Sequence, residues 1–140
     1  MTAPGSTRSW KILVVEDEPD HLMAVELLLR GESDFVFFGA GTTAEADRVL
    51  ARENIDLILL DLALPGEDGL SFCKRLKAQE RYRALPVVAF SAFPRAVYEE
   101  RALEAGCVAF LDKPFHPRDL VGIIRKHLSP AAGDPPQASG

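Results

Sequence analysis

Five short apolar runs recur along the chain, and each is followed by a segment in which apolar residues fall three or four positions apart. The runs are Lys11–Val15, Phe35–Phe38, Ile55–Asp61, Pro86–Phe90 and Cys107–Leu111. They are too brief for helices and rich in Val, Ile, Leu and Phe, which reads as strands. Ile55-Asp56-Leu57-Ile58-Leu59-Leu60-Asp61 is almost continuously apolar, the pattern of a strand buried on both faces of a parallel sheet. Strands alternating with helices through short loops require right-handed crossovers, so the expected fold is α/β, a five-stranded parallel sheet with helices on both faces.

The intervening helices carry their own signals. Pro19 and Asp20 open a helix whose apolar stripe is Leu22, Val25, Leu28 and Leu29, with Gly31 as its stop. Thr42 and Glu45 form a capping-box pattern ahead of Ala46, Val49 and Leu50, and that helix runs through Arg52. Leu70, Cys73 and Leu76 mark a third helix fading near Gln79 and Glu80. A fourth is expected from about Pro94 to Ala105, with Pro94 in its first turn and Gly106 ending it. Pro117 to Leu128 forms the fifth, with Leu120, Ile123, Ile124 and Leu128 on one side. Residues 1–9 read as a flexible arm, 10–128 as the folded domain and 129–140 as a disordered, Pro- and Ala-rich tail.

Composition narrows the function. A formal charge of −5 lacks the basic footprint that neutralising phosphates demands, so direct nucleic-acid binding is not expected. Nothing approaches the span of about 20 apolar residues that crosses a bilayer. The first residues lack a signal peptide's apolar core, and a cytoplasmic location with no membrane partner is expected. Cys73 and Cys107 have neither CxxC spacing nor clustered His, and read as two buried thiols. His21, His116 and His127 lie on separate segments without ligand spacing and read as surface or packing residues.

In a parallel sheet all five carboxyl ends share one edge, where ligands bind in open α/β folds. Four of these ends carry useful chemistry: Glu16-Asp17, Asp61, Ser91 and Lys113. An Asp at a strand end is usually a turn former, a Ser a turn residue and a Lys a solvated charge. Only their joint position reverses that reading. Asp17, Asp61 and Glu16 together crowd like charges, a cost that a shared hard cation such as Mg²⁺ relieves. Lys113 supplies an ammonium suited to a phosphoryl oxygen, and Ser91 a hydroxyl donor. The chemistry implied is in-line attack of the Asp61 carboxylate on phosphorus.

Over roughly residues 9–128 the chain resembles the receiver domain of bacterial two-component response regulators. The resemblance is carried by Ile-Leu-Val-Val-Glu16-Asp17-Glu-Pro, Leu-Ile-Leu-Leu-Asp61-Leu-Ala-Leu-Pro65-Gly66-Glu-Asp68-Gly69, Phe-Ser91-Ala92 and Phe110-Leu-Asp-Lys113-Pro114-Phe115, in this order and spacing. It implies a flavodoxin-like sheet of order 2-1-3-4-5, with Asp61 as phosphoacceptor. Mg²⁺ would be held by Asp17, Asp61 and the Ala63 backbone carbonyl, with Glu16 acting through a water. Lys113 would contact the phosphoryl group and precede a cis peptide at Pro114, and Ser91 and Phe110 would be the switch pair.

The resemblance also implies the biology. A histidine kinase or phosphotransfer protein would donate the phosphoryl group, and the output would pass to a protein target through the face of the fourth helix, fifth strand and fifth helix. A phosphorylation-dependent homodimer is compatible with this. Such a domain catalyses its own phosphorylation and dephosphorylation without being a turnover enzyme. Ala63 and Phe93, two residues beyond Asp61 and Ser91, cannot orient a water through their side chains, so slow autodephosphorylation is expected.

Three other readings compete. Gly39-Ala40-Gly41-Thr42-Thr43-Ala44 matches a GxGxxA dinucleotide fingerprint, with Asp61 20 residues beyond Gly41. It leaves Asp17, Ser91 and Lys113 without a role, and a tight turn before a capped helix explains the glycines better. A haloacid-dehalogenase-type phosphatase also uses an Asp and Mg²⁺, but needs a second acid where Ala63 stands. A receiver-like module that docks partners without phosphorylation would keep the fold and leave the acid set unused.

Overall fold

In the computed structural model, which describes residues 8–128, all five apolar runs form strands. They are β1 (Trp10–Val15), β2 (Phe35–Ala40), β3 (Leu57–Asp61), β4 (Val87–Ser91) and β5 (Ala109–Asp112). Between and after them lie α1 (Pro19–Arg30), α2 (Thr43–Arg52), α3 (Gly69–Lys77), α4 (Arg95–Ala105) and α5 (Pro117–His127). The strands are all parallel, in the order β2-β1-β3-β4-β5. The tail expected over 129–140 and residues 1–7 of the expected arm lie outside the described residues. Arg8, within that arm, pairs with Asp56 at 2.9 Å and lies over the Trp10 ring. Among the described residues no helix is long and apolar enough to cross a membrane.

Alternation along the strands builds two cores. Leu13, Val15, Ile58, Leu60, Val87 and Ala89 face α2, α3 and α4, whose Val49, Leu50, Phe72, Leu76 and Ala102 close that side. Ile12, Val14, Leu57, Leu59, Val88 and Phe90 face α1 and α5, against Val25, Leu29, Leu120 and Ile124. Burying one Leu or Phe in this way contributes about 1.5–3 kcal/mol. The helices share the load unequally. Within α3, Phe72, Cys73 and Leu76 are buried, whereas α4 buries only Ala102 and Ala105.

Element ends depart from the sequence pattern for local reasons. Strand β3 starts at Leu57 because Asp56 is a clamp, its carboxylate accepting from the Lys11 N–H at 2.8 Å. Strand β2 runs on to Ala40, whose carbonyl accepts from the Glu16 N–H at 2.9 Å. Strand β5 begins two residues late because Gly106, at φ +111°, turns the chain back and the Cys107 N–H still caps α4 at the Ala102 carbonyl. Pro94 is the N-cap of α4 rather than a first-turn residue, and Gly31 closes α1 in a right-handed conformation. A single 3-10 turn, Glu80–Tyr82, follows α3.

Candidate functional site

The strand order reverses between β1 and β3, the crevice where ligands bind in such sheets. Asp61 is the last residue of β3, and Glu16 and Asp17 follow β1 directly. The loop after Asp61 must return sharply to α3. Gly69 makes the return possible, since a Cβ there would meet the Asp61 carbonyl oxygen at 2.6 Å and the Leu62 Cα at 2.8 Å. Asp68 caps α3 by accepting from the Ser71 N–H at 2.8 Å. Lys113 is positioned by the sheet itself, its N–H donating to the Ser91 carbonyl at 2.9 Å, and the Lys113–Pro114 peptide is cis.

These elements bring the predicted polar groups together. Lys113 Nζ lies 2.5 Å from Glu16 Oε1 and 3.1 Å from Asp61 Oδ2, with the Phe90 ring beneath it. The other Asp61 oxygen accepts from the Ala63 N–H at 2.9 Å, and Glu16 Oε2 accepts from the Glu18 N–H at 3.0 Å. Asp61 is 5% exposed and Glu16 fully buried, whereas Asp17 is half-buried. Burial pushes the Glu16 carboxyl above its ordinary range and the nearby Asp61 charge adds to this, while the Lys113 and Glu18 hydrogen bonds hold it back.

Three carboxylates thus face one ammonium, and Glu16, Asp17 and Asp61 each offer an oxygen within 4.8 Å of the others. The donor set is all oxygen, as a hard divalent cation requires. Lys113 already occupies one Glu16 oxygen, so the acids open to solvent are fewer than an all-protein cage needs, and positions remain for water and phosphate. The residues present fit Mg²⁺.

Ser91 is 1% exposed, and its Oγ accepts from the Phe93 N–H at 2.9 Å, leaving its proton to donate elsewhere. The Phe110 ring is buried, with the Arg95 guanidinium 5.2 Å above it. Arg95 also donates to the Phe110 carbonyl and pairs with Glu99 and Asp112, tying α4 to β5. Ala63 is exposed, and Phe93 is stacked on Tyr98 with ring centroids 4.6 Å apart. Neither side chain offers a polar group to a water at the site.

Sequence reasoning missed His21. Its Nδ1 lies 3.6 Å from Glu16 Oε1, at the rim of the acid cluster. The signal was its position four residues after Asp17 on an opening helix, which returns a side chain to the same edge. His21 also lines an open cavity of about 380 Å³ beside Lys113, with Val25, Phe90, Pro114 and Phe115. His116 instead caps α5, its Nδ1 accepting from the Arg118 N–H at 3.1 Å. The glycine fingerprint is structural. Gly39 lies within edge strand β2, Thr42 caps α2, and Glu45 accepts from the Gly41 N–H at 2.6 Å.

A family model described as the response regulator receiver domain matches residues 12–125. The chain is similar to the response regulator Rre1 of Synechocystis, at 33% identity over 118 residues, 84% of this chain and 51% of that protein. It is 35% identical to the DNA-binding response regulator MtrA of Mycolicibacterium smegmatis over 87% of this chain and 52% of that protein. The chain therefore spans about half the length of these curated relatives. Among solved structures it resembles the receiver domain of the sensor histidine kinase PA1611 from Pseudomonas aeruginosa, which holds a magnesium ion in its active-site cleft. The TM-score is 0.76 and the identity 32%, over 84% of this chain and 96% of that one.

Proposed function

Because the chain belongs to the response regulator receiver domain family, a class of signalling modules rather than turnover enzymes, we propose that it is a phosphorylation-controlled switch with Asp61 as acceptor. The observation that carries this reading is the contact of Lys113 with Asp61 Oδ2 at 3.1 Å beside two further carboxylates. The donor is a phosphohistidine on a histidine kinase or phosphotransfer protein. An Asp61 oxygen forms the new bond to phosphorus as the P–N bond breaks, its electron pair returning to the imidazole nitrogen. Asp17, Asp61 and the Ala63 carbonyl would hold Mg²⁺, with Glu16 acting through a water, and the charge such an ion supplies when bound would offset that of the phosphoryl oxygens. Lys113 adds its ammonium from the other side, and its short bond to Glu16 keeps the long side chain aimed.

Ser91 donates its free proton to the new phosphoryl oxygen, and Phe110 repacks behind it. The pair biases the face of α4, β5 and α5, where Arg95 joins Asp112 and Glu99, and a protein target or a second copy reads that face. With Ala63 and Phe93 unable to orient water, the phosphoaspartate is long-lived. Label lost within seconds from purified phosphoprotein would count against this.

The test is incubation with Mg²⁺ and acetyl phosphate, followed by intact-mass analysis. One phosphoryl adduct in the wild type and none in Asp61→Asn is expected. Absence of an adduct, with no spectral response to beryllofluoride, would leave a phosphorylation-independent docking module as the better reading.

A further inference from the structure

Cys73 and Cys107 are the chain's two cysteines, and nothing in the phosphoryl-transfer site uses them. Cys73 lies in the middle of α3, and Cys107 follows the Gly106 turn that ends α4. The fold brings their sulfurs within 3.6 Å, with the Cys107 S–H donating to Cys73 Sγ. Cys73 is fully buried and Cys107 is 4% exposed.

Lys77, one turn on from Cys73, completes the cluster. Its stem crosses Gly106 so closely that a Cβ there would meet Lys77 Cγ at 2.6 Å. The ammonium is anchored on the carbonyls of Tyr82, Arg83 and Leu85. The hydrogen bond from Cys107, with the Lys77 charge beyond it, holds the Cys73 thiol below its ordinary range, and the same contact and burial drive the Cys107 thiol up. The two thiols are thereby unequal, Cys73 being the more acidic of the pair. An open cavity of about 480 Å³, lined in part by Lys77, Gly106 and Val108, reaches the residues on both sides of Cys107.

We propose that Cys73 and Cys107 are a site of oxidative modification, at which a peroxide converts the pair to an intramolecular disulfide tying the C-terminal end of α4 to α3. Cys73 gives up its proton as its sulfur attacks one peroxide oxygen, the O–O bond breaks, and the leaving hydroxide takes that proton as water, giving a sulfenic acid on Cys73. Cys107 sulfur then attacks Cys73 sulfur, the S–O bond breaks, and the departing hydroxide takes the Cys107 proton as water. Overall two thiols and one hydrogen peroxide give one disulfide and two waters. The sulfurs close from 3.6 Å to a bond of about 2.05 Å, a shift shared between α3 and the turn after α4. The chemistry is independent of Asp61.

The test exposes the full native chain to hydrogen peroxide, quenches with catalase, denatures, and alkylates with N-ethylmaleimide. Loss of two hydrogens with no alkylation, a monomer band on a non-reducing gel, and a Cys73–Cys107 cross-linked peptide cleaved by dithiothreitol are expected. In Cys107→Ser, which keeps a donor hydroxyl beside Cys73, the sulfenic acid on Cys73 is expected to be trapped by dimedone, whereas Cys73→Ala gives no adduct under the same exposure. Two freely alkylated thiols after peroxide, a bridge only between chains, or sulfinic acids without a bridge would each overturn the proposal. The wild-type readout stands even where a variant folds poorly.

Discussion

Two charged clusters at different places in the molecule resolve the same problem in opposite ways. Where α5 meets the α1–β2 turn, Arg125 forks onto Asp34 with both bonds at 2.8 Å and reaches Glu32 at 2.8 Å, all at the surface. At the carboxyl edge of the sheet, the buried Glu16 and Asp61 share one ammonium, with the Asp17 carboxylate beside them. The first cluster is complete as it stands, and water screens what little is left over. The second carries negative charge that only a cation or phosphoryl chemistry can use. A surface pair stabilises the fold slightly, whereas an incompletely neutralised buried site is strained toward its ligand.

Substitutions should therefore differ in sign and size between the two clusters. The largest effect is expected from Asp61→Asn, with complete loss of the acetyl-phosphate adduct by mass spectrometry. Next, Lys113→Met leaves the fully buried Glu16 unpaired and should cost about 3 kcal/mol in urea unfolding at neutral pH. Because burial already raises the Glu16 value, its ionised form opposes folding as pH climbs above 4.5, so this deficit should shrink as pH falls toward 4.5. Adding Glu16→Gln should recover most of it, and a double variant as unstable as the single one would refute the pairing.

Smaller and opposite in sign, Asp17→Asn should raise stability without divalent cation by about 1 kcal/mol, by relieving like-charge crowding. The same variant should lack the Mg²⁺-dependent rise in melting temperature expected of the wild type. The smallest effect belongs to the surface cluster. Arg125→Ala should cost about 0.5–1 kcal/mol. Arg125 holds the Asp34 carboxyl below its ordinary 3.8, so this contribution is whole above that value and vanishes as pH falls through the lowered one. Equal pH dependence in wild type and Arg125→Ala would remove Asp34 from the account.

The sheet was legible in the chain because each of its strands is an apolar run bounded by turn formers, and the acids, Ser91 and Lys113 lie just beyond those runs. The strand ends were less so. Asp56 delays the start of β3 through a contact with Lys11, 45 residues away, which no local pattern encodes. The direct bond of Lys113 to Glu16 spans 97 residues, and the meeting of Cys73 with Cys107 spans 34. The first follows from the strand order, which brings the carboxyl ends of β1 and β5 to one edge, and the second from α3 and α4 lying on the same face of the sheet. His21 was hidden for a different reason: helical phase returns it to the site, but an exposed histidine on an amphipathic helix has many ordinary explanations.

The alanine-only buried face of α4 sets how the molecule opens. With little apolar area to release, this helix is expected to have the lowest opening free energy of the five, and its amides to exchange with deuterium ahead of those of α3 and α5. A small bias, of the size that one hydroxyl or one ring can exert, then suffices to redistribute its conformers without loosening the sheet. The weakest-held helix is the one whose population is cheapest to shift.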